Sequence, residues 1–163
     1  MSVRERGEAG TTWPPELVAR MKAAHMSLIP TLTLFDVEMQ RNHASPEGTQ
    51  QGIALAVSQL HAYASAGGQI LFGTDIGCID HYDTAEEFQL MSRSDMTFPQ
   101  ILASLTTNPA QRFGYGSHSG RIAPGFDADL VVLKLDPTAD ITALSRVAYT
   151  IRNGKVLFAS QGP

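Results

Sequence analysis

A chain of 163 residues, 43% apolar and 17% charged, has the size and make-up of one folded domain with a real core, which excludes disordered and fibrous classes. Twelve basic against sixteen acidic side chains leave a net charge of -4, so no electrostatic footprint for nucleic acid or an anionic membrane is present. A single cysteine, Cys78, excludes an internal disulfide and any multi-cysteine zinc site. Apolar runs are too short to span a bilayer, and the charged N-terminus has no apolar stretch behind it, so a soluble, cytoplasmic protein is expected.

The first dozen residues read as irregular. Thr11 and Thr12, with Pro14, Pro15 and Glu16 behind them, read as a helix start with hydroxyl caps. That helix runs to about Ala24, with Leu17, Val18, Met21 and Ala24 as its apolar stripe. Leu28–Phe35 reads as a buried strand, and Pro30 places its start near Thr31 or puts it at an edge. Ser45 and Pro46 open a helix that Gly67 and Gly68 stop, and Gln69–Asp75 follows as a short strand. A helix from near Thr84 turns Ala85, Phe88 and Met91 inward, with Leu90 beside them. A further helix starts at Thr97 and ends at Leu105, and a short one follows with Asn108 as its cap and Pro109 at its first position. After a glycine- and serine-rich connection at 116–120 the chain becomes β-rich. Asp129–Lys134 is a strand, and the Asn153-Gly154 pair turns a hairpin between Val147–Arg152 and Lys155–Phe158.

The strand–helix–strand–helix order from Leu28 to Met96 is that of a parallel sheet. Two such strands do not close a layer, and three antiparallel strands are marginal alone. The chain reads as the end of something larger.

Gly73-Thr74-Asp75 stands where a strand meets its following loop, the face on which (β/α) barrels gather their chemistry. A carboxylate there can bind a metal or take a proton from metal-bound water, and it can equally be a loop cap. The glycine allows close backbone approach, and the threonine can orient the carboxylate. Three longer stretches extend the pattern. They are Ile70-Leu71-Phe72-Gly73-Thr74-Asp75-Ile76-Gly77, Thr106-Thr107-Asn108-Pro109-Ala110, and the run from Gly120-Arg121-Ile122-Ala123-Pro124-Gly125 to Asp129-Leu130-Val131-Val132-Leu133. With Glu87-Phe88-Gln89-Leu90-Met91, Pro99-Gln100-Ile101-Leu102 and Arg152-Asn153-Gly154-Lys155-Val156 between and after them, they resemble the C-terminal part of a metal-dependent amidohydrolase of the imidazolonepropionase-like or prolidase-like kind.

The resemblance implies an α/β fold with two parts. Residues 1–119 would form the last two strands and helices of a TIM-like (β/α)8 barrel, and 120–163 part of a small β-sandwich. Residues 31–35 would be the seventh barrel strand and 70–74 the eighth. Asp75 would be the catalytic carboxylate, a metal ligand that also shuttles the proton of the attacking water, with Thr74 and His81 as substrate or outer contacts. Asp129 would fix the return strand. The implied cofactor is a divalent metal, zinc first, and the implied reaction is hydrolysis of an amide, cyclic amide or peptide-like C–N bond in a small-molecule substrate.

The family's His-x-His and the other metal ligands are not in this sequence, and none of His25, His43, His61, His81 and His118 falls on those motifs. The chain alone is therefore expected to bind no metal and to be inactive, and a polypeptide supplying the missing barrel half is the implied partner. The alternative reading is a non-catalytic remnant or partner-dependent structural domain. A complete small enzyme built on Asp75, Asp80 and His81 rests on proximity alone. A Cys78–His81 nucleophile pair has no fixed geometry at that loop spacing. His118 and His61 read as surface residues, and His25 as a helix-end residue.

Overall fold

The computed structural model describes residues 12–80 and 82–161. Helix α1 (Pro15–Ala23) starts behind Pro14, with Glu16 in its first turn and Arg20 and Lys22 in its last, both favourable to the helix dipole. Thr12 does not cap it. Its hydroxyl donates instead to Ser58 O at 2.9 Å, while Thr11 and the irregular start lie outside the described residues. Of the expected stripe, Val18 is buried and Met21 packs against the core; Leu17 and Ala24 are exposed.

Strand β1 (Ser27–Leu28) lies parallel to β2 (Gln69–Ile70), with Ser27 opposite Gln69 and Leu28 opposite Ile70. The expected strand over 31–35 is not one. The chain turns at Thr31, in the left-handed region at φ +46°, and Leu32–Arg41 form helix α2. Pro30 has no N–H for a ladder, and the first N–H groups of α2 find a different acceptor. The Glu87 carboxylate takes Leu32 N at 2.9 Å and Thr33 N at 2.8 Å. A short apolar run does not distinguish strand from buried helix; here a carboxylate more than fifty residues away decides it.

Helix α3 (Pro46–Ser65) begins as expected, with Ser45 Oγ accepting from Gly48 N at 3.1 Å. It returns the chain to β2, which is shorter than the sequence suggests. Beyond Leu71 the backbone leaves the ladder, and Phe72 N donates to Ser104 O at 3.0 Å. Helices α4 (Ala85–Arg93), α5 (Phe98–Leu105) and α6 (Thr107–Arg112) follow. Asn108 is not the cap of α6. Its side-chain amide donates to Ile70 O at 2.9 Å, fastening α6 to the end of β2. The core joins Leu60 and Tyr63 of α3, Ile70, and Phe88, Leu90 and Met91 of α4. Phe88 stacks on Phe72 with ring centroids 4.7 Å apart.

Strands β3 (Leu130–Leu133), β4 (Val147–Arg152) and β5 (Lys155–Ala159) form an antiparallel sheet in that order. Asn153 and Gly154 both take positive φ, the conformation a two-residue hairpin turn demands. Asp129 accepts from Asn153 N at 2.8 Å and so ties the entry of β3 to the hairpin turn. A 3-10 turn, Ile141–Ser145, buries Ala143 and packs Ile141 and Leu144 on the helical core. The result is an α/β arrangement with an incomplete parallel sheet and a separate small antiparallel sheet. Val131, Tyr149, Val156, Leu157 and Phe158 remain exposed on the latter.

Candidate functional site

Asp75 lies past β2, at the C-terminal end of the parallel pair. Its φ of +57° is uncommon for a residue with a Cβ, although aspartate tolerates it better than most. Gly73 is needed two residues earlier: a Cβ there would stand 2.5 Å from Ile29 Cγ2. Thr74 is buried, Asp75 is exposed, and among the described residues no hydrogen bond joins the Thr74 hydroxyl to the carboxylate. The turn after Asp75 is closed by Cys78 N donating to Asp75 O at 3.0 Å and is anchored by the buried Ile79.

The Cys78 thiol also feels the Asp75 carboxylate. The negative charge of that carboxylate, first of all, with smaller contributions from desolvation and Glu38, pushes the thiol above its ordinary pKa against the opposing pull of Arg41. Cys78 is therefore a poor nucleophile. Arg41, at the end of α2, spans the same turn. Its Nη1 donates to Cys78 O at 2.6 Å and to Glu38 Oε1 at 2.8 Å, and its Nη2 lies 3.7 Å from Asp80.

Glu87 sits beneath these loops without solvent exposure. Both its oxygens are engaged, Oε1 by Leu32 N and Oε2 by Thr33 N and Thr33 Oγ1, the last at 2.9 Å. Burial pushes its pKa up, and the three hydrogen bonds pull against that rise without cancelling it. In sequence, Glu87 stands in the Glu87-Phe88-Gln89-Leu90-Met91 motif with no role marked for it. Its signal is an acid next to Phe88 on the inward face of α4, hard to tell in sequence from the adjacent Glu86.

These residues do not make a metal centre by themselves. Among the described residues no group of three or more His, Cys, Asp or Glu side chains could hold a metal ion. Asp80 is turned outward to Arg41, with its side chain 99% exposed, and His81 lies outside the described residues. Nothing described joins Asp75, Asp80 and His81 into a site.

Two other arrangements are explained by structure. His61 Nδ1 faces Ser94 O at 3.0 Å and Asp95 at 3.3 Å, and its Nε2 lies 3.3 Å from Ser65 Oγ. This has the order of a hydrolytic triad but lacks oxyanion donors, since the nearby Gly67 and Gly68 N–H groups already bond Ala64 O and Tyr63 O. A cleft of about 390 Å³ opens at the far end of the strands from Asp75, between Lys22, His25, Gln69 and Arg112. Helices α1, α3 and α6 end there, and Lys22 and Arg112 donate to the freed carbonyls of Ala66 and His25. Its cations complete helix ends rather than await an anion. His118 is exposed, as expected, and also pairs with Asp127 at 2.5 Å.

The model of the amidohydrolase family matches residues 19–157. An imidazolonepropionase of Vibrio cholerae is 33% identical over 69 residues, 40% of this chain and 17% of that protein. Among solved structures, a Xaa-Pro dipeptidase with methionine bound in its active site superposes with a TM-score of 0.77 at 23% identity, over 89% of this chain and 37% of the other. A putative prolidase from Bifidobacterium longum does so at 0.73 and 25% identity, over 94% and 42%. The chain thus spans under half the length of each of these three relatives.

Proposed function

The chain belongs to the amidohydrolase family, and from that premise we propose that it contributes the last two barrel strands and the Asp75 carboxylate to a metal-dependent hydrolase of C–N bonds. Its remaining strands and ligands come from further sequence or from a second polypeptide. In this reading β1 and β2 are the seventh and eighth strands, residues 1–119 belong to the barrel, and 120–163 belong to the sandwich. Substrates are small molecules carrying an amide, cyclic amide or peptide-like bond.

The observation that carries the reading is Asp75 itself. It follows the C-terminal end of a parallel strand pair, in a left-handed turn and with its side chain exposed. A carboxylate in that place can accept a proton from an attacking water and return it to the leaving nitrogen. Asp75 is one ligand toward a divalent metal, zinc first, and the described residues complete no group of three ligands with it. No catalytic step is assigned to this chain alone.

The test joins this chain to a polypeptide bearing the six missing strands and follows hydrolysis of a panel of dipeptides and cyclic amides. Metal-dependent turnover lost in Asp75→Asn supports the reading. Folded assemblies that hydrolyse nothing, or that hydrolyse equally with Asn at 75, contradict it and favour a non-catalytic structural domain.

A further inference from the structure

We propose that Glu87 is a positioning residue for Asp75, acting through α2 as a splint; the functional meaning of this rests on the reading of Asp75 above. Helix α2 touches the Asp75 segment at both ends. Its N-terminal end follows Ile29 and Thr31, whose side chains lie against Gly73, two residues before Asp75. At its C-terminal end Arg41 donates to Cys78 O, inside the turn that Cys78 N closes on Asp75 O. The orientation of α2 therefore bears on where the Asp75 carboxylate stands.

Helix α2 packs on both α3 and α4, and its first turn is held by a specific anchor. Leu32 and Thr33 are its fully buried residues, no acidic residue of its own lies in that turn, and Thr31 offers no capping side chain. Glu87 supplies from α4 what the local sequence lacks, a carboxylate accepting both N–H groups and the Thr33 hydroxyl. Helix α4 is also the first helix after the Asp75 loop, so one side chain joins the segments leaving both parallel strands.

The test is amide hydrogen exchange by NMR on the full 163-residue chain, comparing Glu87→Gln, Thr33→Val and Thr33→Ser. Loss of the splint is expected to speed exchange at Cys78 N–H by about tenfold relative to the core amides of Leu60 and Tyr63 in Glu87→Gln and Thr33→Val. Thr33→Ser keeps the hydroxyl and should retain the protection. Should Glu87→Gln fail to fold, the milder Thr33→Val carries the comparison. Exchange at Cys78 that changes no more than at Leu60 and Tyr63 overturns the proposal, because a merely structural role would loosen all three alike. That outcome leaves the reading of Asp75 standing, since no catalysis enters the measurement.

Discussion

Cys78 and Asp75 are coupled through backbone and side chain: the Cys78 N–H donates to the Asp75 carbonyl oxygen at 3.0 Å, and the charge of the Asp75 carboxylate raises the pKa of the Cys78 thiol. The pair makes the lone cysteine a native reporter on the candidate carboxylate. Removing the negative charge in Asp75→Asn removes the main cause of the raised thiol pKa, so thiolate forms at lower pH. Alkylation of Cys78 by iodoacetamide near pH 8 should be faster in that variant than in the parent chain. An unchanged rate would show that the two side chains are not in contact in solution.

Glu87 gives a pH dependence whose sign is fixed by its burial. Its pKa is raised in the folded chain, so the folded state holds the proton more tightly than the unfolded one. The corresponding stability is present below the ordinary glutamate value and is lost as pH rises through the elevated one. The urea midpoint of the parent chain, measured against Glu87→Gln, should fall as pH rises through that range. A relative midpoint that climbs instead would mean the three hydrogen bonds outweigh desolvation.

Truncating the same side chain is a harsher change. Glu87→Ala leaves three buried donors without their acceptor, each costing about 1–3 kcal/mol. A loss of about 3 kcal/mol or more in urea unfolding is expected. A loss below about 1 kcal/mol would show that α2 caps itself by another route.

Much of this could be read from local chemistry. Ser45-Pro46 opens α3, Thr97 and Gln100 form a capping box at α5, and Asn153-Gly154 turns the hairpin. Each is decided by neighbours within a few positions. Where the outcome depended on distant residues, the sequence misled. Leu32–Phe35 became helix because Glu87 caps it, Asn108 left its cap to hold Ile70, and Thr12 bonded Ser58 rather than its own helix. Asp75 stood out from its motif, yet the companions that shape it, Arg41 and Glu87, carried no such mark.

Gly120 is a second place where the backbone admits no side chain. It lies at φ +89°, and a Cβ would meet Ala110 Cβ at 2.5 Å and Thr106 O at 2.9 Å. Gly120→Ala combines strain with overlap and should cost about 1–3 kcal/mol by thermal or urea unfolding. A neutral result would mean that the connection from α6 to β3 is free to move aside.

The claim that this chain brings one carboxylate to a centre completed elsewhere is tested most directly by its metal content. The untagged chain, dialysed against zinc and then against metal-free buffer, is analysed by ICP mass spectrometry beside Asp75→Asn. Metal far below one equivalent in both is the predicted result, because one carboxylate is too few ligands to retain the ion. About one equivalent in the parent chain, lost in Asp75→Asn, would contradict the account and show that the chain holds a complete metal site of its own.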